Sequence, residues 1–272
     1  MSDSARATLA DRAPVRVNAS KPNAARVYNY LLGGKDNYEV DQHVAARMLA
    51  VAPDTKTTAW FSRKFLLNAV EDAARAGIRQ FIDIGCGFPF SPNVHEVAQE
   101  VDPSARVVMI DYDPVVYVHA NALLSGTSGV TSILGDIRRT NEIIDKTRTE
   151  GQIDFDQPVA ILMVGLLHYL LDEEQPFDIV ARLRDVMASG SILAFTHASA
   201  LSCDELVARV TADTDGSSAQ CQFRTPDEVA VFLQGFEVVE PGLVPVQDWL
   251  DDDLPRTRLV ILGGVGRTPG VG

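Results

Sequence analysis

The pattern of apolar positions divides the chain into a helical first part and a longer part in which strands and helices alternate. In the first part, Phe61, Phe65, Ala69 and Ala73 lie four residues apart, as expected for one face of a helix. Gly77 is suited to end this helix. The pattern predicts helices at about 23–32, 41–52 and 57–76.

After residue 78 the apolar runs become short and alternate with helical segments, which is typical of parallel strands joined by right-handed crossovers. Little helical sequence separates the last two runs, so we expect a hairpin that makes one strand antiparallel. The predicted strands are RQFIDIG, RVVMID, VTSILGD, PVAILMV, SILAFTH, GFEVVE and RLVILG. The expected class is α/β, with a seven-stranded, mostly parallel sheet, an antiparallel last strand and an N-terminal helical extension. This is the shape of the Rossmann-like class I methyltransferase fold.

Polar and glycine-rich segments set the expected boundaries. Residues 1–22 are polar and are expected to be a disordered leader, and residues 23–77 form the helical extension. Residues 78–264 form the predicted α/β domain. The glycine-rich end, 265–272, is expected to be a flexible tail.

The end of the first strand carries glycines suited to ligand binding. Gly85 and Gly87 follow Asp83 at the point where ligands bind in doubly wound sheets. Glycine allows the backbone to approach a ligand closely. Gly87 is followed by Phe88-Pro89-Phe90 and not by the third glycine of a dinucleotide motif. The pattern therefore favours S-adenosylmethionine, which has no phosphate, over NAD.

Acidic residues follow the next two predicted strands. Asp111 can accept hydrogen bonds from both ribose hydroxyls of a nucleoside ligand. Asp113 is an alternative for that contact, but its position before a proline favours a helix N-cap. Asp136 can accept a hydrogen bond from the adenine amino group or cap a helix, and Ile137 can pack on the adenine ring. The predicted cofactor-binding set also includes Tyr112 and Leu166.

A histidine lies in the segment after the fourth predicted strand, which faces the methyl group in this fold. His168 is a candidate general base, because the unperturbed pKa of histidine is near neutrality. The alternative is a histidine that packs or orients a substrate. His197, at the end of the fifth strand, is a weaker candidate.

Several segments together resemble a known family, the mainly actinobacterial S-adenosylmethionine-dependent methyltransferases long described as a domain of unknown function. The resemblance covers about residues 23–250 and implies the methyltransferase fold and its cofactor, but no particular substrate. One departure is Phe90, which is bulkier than the residues usual there and is expected to reshape the methionine end of the pocket. The matching segments are ARVYNYLLGGKDN (25–37), QFIDIGCG (80–87), NVHEVA (93–98), DYDPVV (111–116), LHY (167–169) and EPGLVP (240–245).

The N-terminal segment of this resemblance is rich in polar and aromatic residues for a helix end. One interpretation is a solvated helix and turn. The other is a lid over the cofactor, in which Arg26 pairs with the methionine carboxylate and Tyr28 or Tyr38 forms a wall.

Composition limits the partners. The net charge of −13 argues against a nucleic acid, because phosphate binding needs clustered basic residues. The three cysteines, Cys86, Cys203 and Cys221, lack the spacing of a zinc site or a disulfide framework, and no metal is expected. No apolar run reaches the roughly 20 residues of a membrane helix. We expect a cytoplasmic protein with no membrane partner, and a homodimer is kept as a hypothesis.

The predicted function is methyl transfer from S-adenosylmethionine to an unknown acceptor, expected to be a small molecule. The first alternative is a module that binds S-adenosylmethionine or S-adenosylhomocysteine without catalysis. The second is an NAD-dependent oxidoreductase, for which Tyr169 would need a lysine four residues later; Glu173 stands there instead.

Overall fold

An eight-stranded, mostly parallel sheet forms the centre of the molecule. The structure is a computed structural model that describes residues 19–250 and 253–270. The strand order is β3-β2-β1-β4-β5-β8-β6, with β7 paired to β8. The strands are β1 (Gln80–Ile84), β2 (Arg106–Asp111), β3 (Val130–Leu134), β4 (Ala160–Met163), β5 (Ile192–Ala198), β6 (Glu237–Val238), β7 (Val244–Pro245) and β8 (Ile261–Arg267).

The strand directions agree with the predicted fold class. Strands β1 to β5 are parallel to one another, whereas β8 is antiparallel to β5, β6 and β7. The sheet has eight strands and not the predicted seven, because the short strand β7 also pairs with β8. The α/β class and the antiparallel C-terminal part are confirmed.

Helices cover both faces of the sheet. Phe81 of β1 belongs to the core under α3 and α4, whereas Ile82 and Ile84 belong to the core under α6 and α7. This alternation follows from the period of two residues along a strand. The helices are α1 (Ala24–Leu31), α2 (Glu39–Val51), α3 (Thr55–Arg75), α4 (Val94–Val101), α5 (Pro114–Leu124), α6 (Thr140–Thr149), α7 (Pro176–Val186), α8 (Asp204–Thr214) and α9 (Pro226–Ala230).

The last strand differs from its prediction. Strand β8 begins at Ile261, inside the predicted RLVILG, and continues to Arg267. Thr268 is also buried, and its backbone N–H donates to the carbonyl of Ser191. The predicted flexible tail is therefore wrong at its start, residues 265–268. Residues 271–272 lie outside the described residues.

Close packing explains why a glycine-rich segment forms a strand. A Cβ atom on Gly263 would lie 3.1 Å from Cε2 of Phe65, and one on Gly264 would lie 3.1 Å from Cε1 of Phe195. Both contacts are tighter than a side chain normally makes. Glycine here lets aromatic rings pack directly against the strand, so the composition serves packing and not flexibility.

A buried carboxylate joins the first two helices. The second helix begins at Glu39, two residues before the predicted start, and Asp41 lies in its first turn. Its carboxylate is 0 % exposed and accepts hydrogen bonds from Arg26 Nε (2.7 Å) and from the backbone N–H groups of Asn23 and Tyr38 (both 2.9 Å). The start of α1 and the start of α2 are thus fixed to one group.

The first two helices are also connected to the sheet domain. The side chain of Asn23 donates from Nδ2 to Asp113 Oδ2 at 2.8 Å, while Asp113 caps α5 by accepting from the Val115 N–H. Arg26 Nη2 donates to the Lys21 carbonyl at 2.7 Å, so the last residues of the predicted leader have defined contacts. Residues 1–18 of that leader lie outside the described residues.

The turn between α1 and α2 is organised by Asn29. Its Oδ1 accepts hydrogen bonds from the Asp36 N–H (2.9 Å) and from Asn37 Nδ2 (3.0 Å). A Cβ atom on Gly34 would lie 2.4 Å from Asn29 Nδ2, so only glycine fits beside this amide. The polar residues in this part of the N-terminal segment therefore have a structural explanation.

We expect Asp41→Asn to lower the free energy of unfolding by about 3–5 kcal/mol, because the substitution removes a buried carboxylate that pairs with Arg26 and accepts two backbone hydrogen bonds. Urea denaturation followed by circular dichroism measures this value. The control is Glu39→Gln, whose 85 % exposed side chain forms only a surface pair with His43. Equal stability of the two variants would contradict the structural importance of Asp41.

Candidate active site

The carboxyl ends of β1, β2, β4 and β5 meet in a large cleft under the N-terminal helices. Its empty volume, which includes solvent-filled space at its opening, is about 1410 Å³. Helices α1, α2 and α3 line one side, and the start of β8 and residues from α8 onward line another. Of the sequence-predicted site residues, the cleft is lined by Tyr28, Asp83, Gly85, Gly87, Asp111, Tyr112, Leu166 and His168.

The glycines after β1 leave room for a ligand beside the backbone. Gly85 and Gly87 have φ values of +72° and +64°, a left-handed conformation that favours glycine. A Cβ atom on Gly85 would lie 2.9 Å from Cδ1 of Leu166, whereas one on Gly87 would meet no atom within 4 Å. The space beside Gly87 is therefore free for a ligand that approaches the main chain.

Asp111 holds this glycine loop in place. Its Oδ2 accepts from the Gly87 N–H at 3.0 Å, and its Oδ1 accepts from the Asp113 N–H at 2.9 Å. Burial raises the pKa of Asp111 to about 6, and the two backbone hydrogen bonds act in the opposite direction. Each oxygen accepts one backbone hydrogen bond, which leaves acceptor capacity for a ligand hydroxyl.

A smaller cleft continues from the first at the ends of β2 and β3. Asp111, Tyr112 and Leu166 line both clefts, whereas Asp136 and Ile137 line only the smaller one. These residues form the region in which the sequence predicts an adenine ring. The sequence-predicted residues at Asp83, Gly85 and Gly87 thus belong to the same continuous space as Asp136 and Ile137.

Asp136 is already engaged by a neighbour that sequence reasoning missed. Arg138 donates from Nε to Asp136 Oδ1 at 2.8 Å and from Nη2 to Oδ2 at 2.7 Å. Arg138 also pairs with Glu174 at 2.8 Å, and the Asp136 side chain caps the short helix Ile137–Arg139. A hydrogen bond from an adenine amino group would have to share an oxygen that Arg138 uses.

Arg63 is the second residue that the sequence did not reveal. It lies on α3, is 7 % exposed, and lines the large cleft. Its Nη2 donates to the carbonyl oxygens of Phe90 and Pro92, the latter at 2.7 Å. Its Nε is buried and has no hydrogen-bond partner among the described residues. The available signal was the group of polar residues on the buried face of α3: Thr55, Thr58, Ser62 and Arg63.

Asp83 lies beside Arg63 at the floor of the cleft. Burial raises the pKa of Asp83 from 3.8 to about 7; the positive charge of Arg63 opposes this shift and the negative charge of Asp111 adds to it. The cleft therefore contains an arginine and a carboxyl group that can change charge near neutral pH.

Two aromatic residues of the N-terminal segment have different positions. Tyr28 lines the cleft and donates its hydroxyl to the Ala59 carbonyl at 3.1 Å, and burial raises its pKa to about 12. Tyr38 is 39 % exposed, lies outside the cleft lining, and has the Arg26 guanidinium 4.8 Å from its ring centre. Of these two tyrosines, Tyr28 therefore forms part of the cleft wall and Tyr38 does not.

The predicted role of Arg26 is wrong. Its guanidinium is 3 % exposed, pairs with Asp41 and is not part of the cleft lining. The side chain of Phe90 is also absent from the lining; it packs edge-on against Trp60, and Phe90 reaches the site through its carbonyl on Arg63. The sequence predicted that the side chains of Arg26 and Phe90 line the pocket. Both side chains instead pack against residues outside the cleft lining.

His168 is a neutral histidine in the cleft wall. It is 7 % exposed, and burial, His197 and Arg224 hold its pKa well below the usual range. Its Nδ1 atom is buried and has no hydrogen-bond partner among the described residues. An unprotonated imidazole with a free nitrogen is able to accept a proton or a hydrogen bond.

His197 has a structural role, because both of its ring nitrogens have hydrogen-bond partners. Its Nδ1 lies 2.8 Å from the Ala198 carbonyl and its Nε2 lies 2.8 Å from Arg224 Nη1, which fixes a neutral tautomer with the proton on Nδ1. Burial lowers its pKa to about 4. Arg224 is 2 % exposed and also donates to the carbonyl of Leu170 and to Asp172. This arginine fixes the segment that carries His168.

The sheet order, the glycine loop and the acidic strand ends together define a class I methyltransferase. Residues 10–269 match the family model described as S-adenosyl methyltransferase, and the chain belongs to that family. It is thus an S-adenosylmethionine-dependent methyltransferase, and S-adenosylmethionine is its cofactor. No curated protein matches the chain.

Solved structures give the same result. A methyltransferase candidate from Thermobifida fusca YX is 36% identical with a TM-score of 0.85, and covers 92% of this chain and 96% of its own. A DUF574 family protein from Streptomyces avermitilis MA-4680 is 34% identical with a TM-score of 0.87, and covers 93% and 100%. The N-methyltransferase NodS from Bradyrhizobium japonicum WM9, in complex with S-adenosyl-L-homocysteine, shares the fold at 16% identity and a TM-score of 0.51, with coverages of 91% and 100%.

Two further observations concern the described residues. None of their helices is long and apolar enough to cross a membrane. Within the same residues there is no group of three or more histidine, cysteine, aspartate or glutamate side chains placed to hold a metal ion.

We expect Asp83 to contribute a loss of stability to the ligand-free protein as the pH rises from about 4 to about 7. Folded Asp83 keeps its proton in a range where the unfolded carboxyl has lost it, so its stabilising contribution is complete below pH 3.8 and is lost by about pH 7. In Asp83→Asn this part of the slope, at most about 1.4 kcal/mol per pH unit, is absent. Urea denaturation at several pH values measures it.

The control for this experiment is Asp145→Asn on α6, where a 77 % exposed carboxyl is removed. It should keep the wild-type slope. If Asp83→Asn and the wild type had the same slope, Asp83 would be ionised in the folded protein and its assigned environment would be wrong.

Proposed function

We propose that the two connected clefts bind S-adenosylmethionine and a small-molecule acceptor together, and that the methyl group is transferred between them. The observation that supports this proposal most is the continuity of the clefts across the ends of β1, β2 and β4, where Gly87 leaves free space and Asp111 keeps acceptor capacity. When bound, S-adenosylmethionine supplies a methyl group on a positively charged sulfur.

The residues of the chain bind and orient in this proposal. Asp111 accepts hydrogen bonds from the ribose hydroxyls, with Gly85 and Gly87 allowing close approach of the main chain. Ile137 and Leu166 pack on the adenine ring beside Tyr112, and Asp136 shapes that end of the smaller cleft.

Arg63 takes over the role that the sequence gave to Arg26. Its Nε is buried without a partner among the described residues, and an unsatisfied charged donor is costly unless a ligand pairs with it. The methionine carboxylate is the anionic group of the cofactor. Arg63 therefore binds this carboxylate, while the carbonyls of Phe90 and Pro92 hold the guanidinium in position.

His168 accepts the proton that an acceptor O–H or N–H loses. The bound cofactor would supply its methyl group to the acceptor O or N atom and would leave as uncharged-sulfur S-adenosylhomocysteine, while the proton of the acceptor would pass to the imidazole of His168 and then to water. The site would gain no net charge, because one positive charge would be lost on the cofactor as one formed on the imidazole. The remaining acceleration of methyl transfer comes from holding the two reactants close together and from the exclusion of water by α1, α2 and α3.

Other features of the proposal rest on sequence alone. The net charge of −13 supports a small molecule over a nucleic acid as acceptor. Residence in the cytoplasm and assembly into a homodimer are carried forward as hypotheses. The division into leader, helical lid and methyltransferase domain is likewise proposed, with the lid formed by residues 23–77.

Calorimetric titration tests the cofactor site. The wild type should bind S-adenosylmethionine and S-adenosylhomocysteine but not NAD, and Asp111→Asn should bind both about 10- to 100-fold more weakly, since a charge-assisted hydrogen bond is worth about 1.5–3 kcal/mol. Asp145→Asn is the matched control and should bind as the wild type does. Unchanged affinity in Asp111→Asn would refute the proposed ribose contact.

A second titration isolates the contact of Arg63. In Arg63→Gln the affinity for S-adenosylhomocysteine should fall about 10- to 100-fold. The affinity for methylthioadenosine should stay constant, because that nucleoside lacks the carboxylate. Arg182→Gln, an exposed arginine on α7, is the control. Equal losses for both ligands in Arg63→Gln would show that Arg63 shapes the site without binding the carboxylate.

A further inference from the structure

The lining of the large cleft extends beyond the residues proposed for the cofactor. The residues proposed for the cofactor occupy the loops after β1, β2 and β4 and one position on α3. The side formed by α1, α2 and α8 has no role in that binding.

This remaining side is apolar, and we refer to it as the apolar compartment. Its members come from α1, α2, α8 and the segments that follow α8 and precede β8. They are Val27, Leu31, Val44, Met48, Val210 and Phe223. Burial of apolar ligand surface against such a wall is the main source of affinity that it offers.

Among the described residues, no charged side chain lines the apolar compartment. The charged residues in the cleft lining are Arg63, Asp83 and Asp111, and all three belong to the cofactor side. Polar hydroxyls near the compartment are already used: Thr214 donates to the Val210 carbonyl at 2.7 Å, and Tyr28 donates to the Ala59 carbonyl. A charged group on a ligand would lose its water there without gaining a partner.

His168 lines the cleft at its strand-end side, facing the same space as the apolar compartment. Apart from Arg63 Nε, the only buried side-chain polar atom without a partner among the described lining residues is Nδ1 of His168. His168 lies in the segment after β4, and its ring contacts that of Tyr169 with the centroids 4.3 Å apart. His168 is therefore the uncharged polar side chain of the cleft lining whose ring nitrogen has no partner among the described residues.

We propose that the apolar compartment is the acceptor subsite, and that it takes an uncharged, largely apolar small molecule whose one reactive hydroxyl or N–H group lies against His168. The proposal rests on the methyl-transfer function proposed above and names its substrate class. The acceptor would gain the methyl group of the cofactor, S-adenosylhomocysteine would be released, and the proton of the reactive hydroxyl or N–H group would pass to His168.

Fluorescence titration in the presence of saturating S-adenosylhomocysteine tests the subsite. The probes are two pairs, and each pair consists of a neutral phenol and the same ring system with a carboxylate. The pairs are umbelliferone with carboxy-umbelliferone and naphthol with hydroxynaphthoate, at a pH where the phenols are protonated and the carboxylates are ionised. In each pair the neutral probe should bind at least about tenfold more tightly than the anion. Equal or tighter binding of the anions would overturn the proposal and indicate an anionic acceptor, and failure of both neutral probes to bind would also overturn it.

Variants locate the binding. Met48→Lys brings a charge into the apolar compartment and Val44→Phe fills part of it, so each should weaken binding of the neutral probes at least about tenfold. Leu123→Lys, on the exposed face of α5 and outside the cleft lining, is the control and should change nothing. Unchanged probe binding in both Met48→Lys and Val44→Phe would place the probes elsewhere and refute the subsite.

The same titrations separate this inference from the function on which it rests. Affinity for S-adenosylhomocysteine, measured by calorimetry, should change by less than about twofold in Met48→Lys and Val44→Phe. If the wild type binds no S-adenosylhomocysteine, the proposed function itself fails. If S-adenosylhomocysteine binds normally but the neutral probes bind no more tightly than the anionic probes, only the proposed acceptor class is wrong.

Discussion

The buried carboxylate of Asp41 is the constraint on which the cleft depends. A charge with no exposure to water must be fully paired, and Asp41 satisfies this through Arg26 and two backbone N–H groups. One of those N–H groups belongs to Asn23, whose side chain continues to Asp113 at the start of α5. A single chain of hydrogen bonds therefore runs from the first two helices to the sheet domain and holds those helices over the ends of the strands.

The position of Arg63 follows from this arrangement. An arginine on α3 is buried only because the N-terminal helices close one side of the cleft and the segment after β1 closes another. The carbonyls of Phe90 and Pro92 accept hydrogen bonds from one end of the guanidinium, and Nε has no partner within residues 19–250 and 253–270. Burial of an incompletely paired cation costs free energy, and binding of an anionic ligand would recover that cost. Burial in the same place raises the pKa of Asp83 to about 7, while the charge of Arg63 opposes this shift.

The sequence predicted those parts of the site that follow from local rules. Glycines and acidic residues at strand ends are placed by the chain itself, because parallel strands bring their carboxyl ends to one edge. Arg26 and Arg63 could not be distinguished in this way. Both are arginines on helices of the N-terminal part, and only the packing of those helices shows that one is bound to Asp41 while the other lines the cleft. Likewise, the composition of β8 predicts flexibility until the ring of Phe195 is placed against Gly264.

The separation of charge within the cleft links the fold to the proposed chemistry. Ionisable groups are concentrated where the sheet ends, because strand ends expose loops whose backbone N–H groups can stabilise a carboxylate such as Asp111. Helices instead bring an apolar face towards the sheet, since burial of that face is what attaches them. A cleft formed between strand ends and amphipathic helices is therefore polar on one side and apolar on the other. His168 lies at the strand-end side with its Nδ1 unpaired, which is where a polar group on an apolar ligand would have to meet the cofactor.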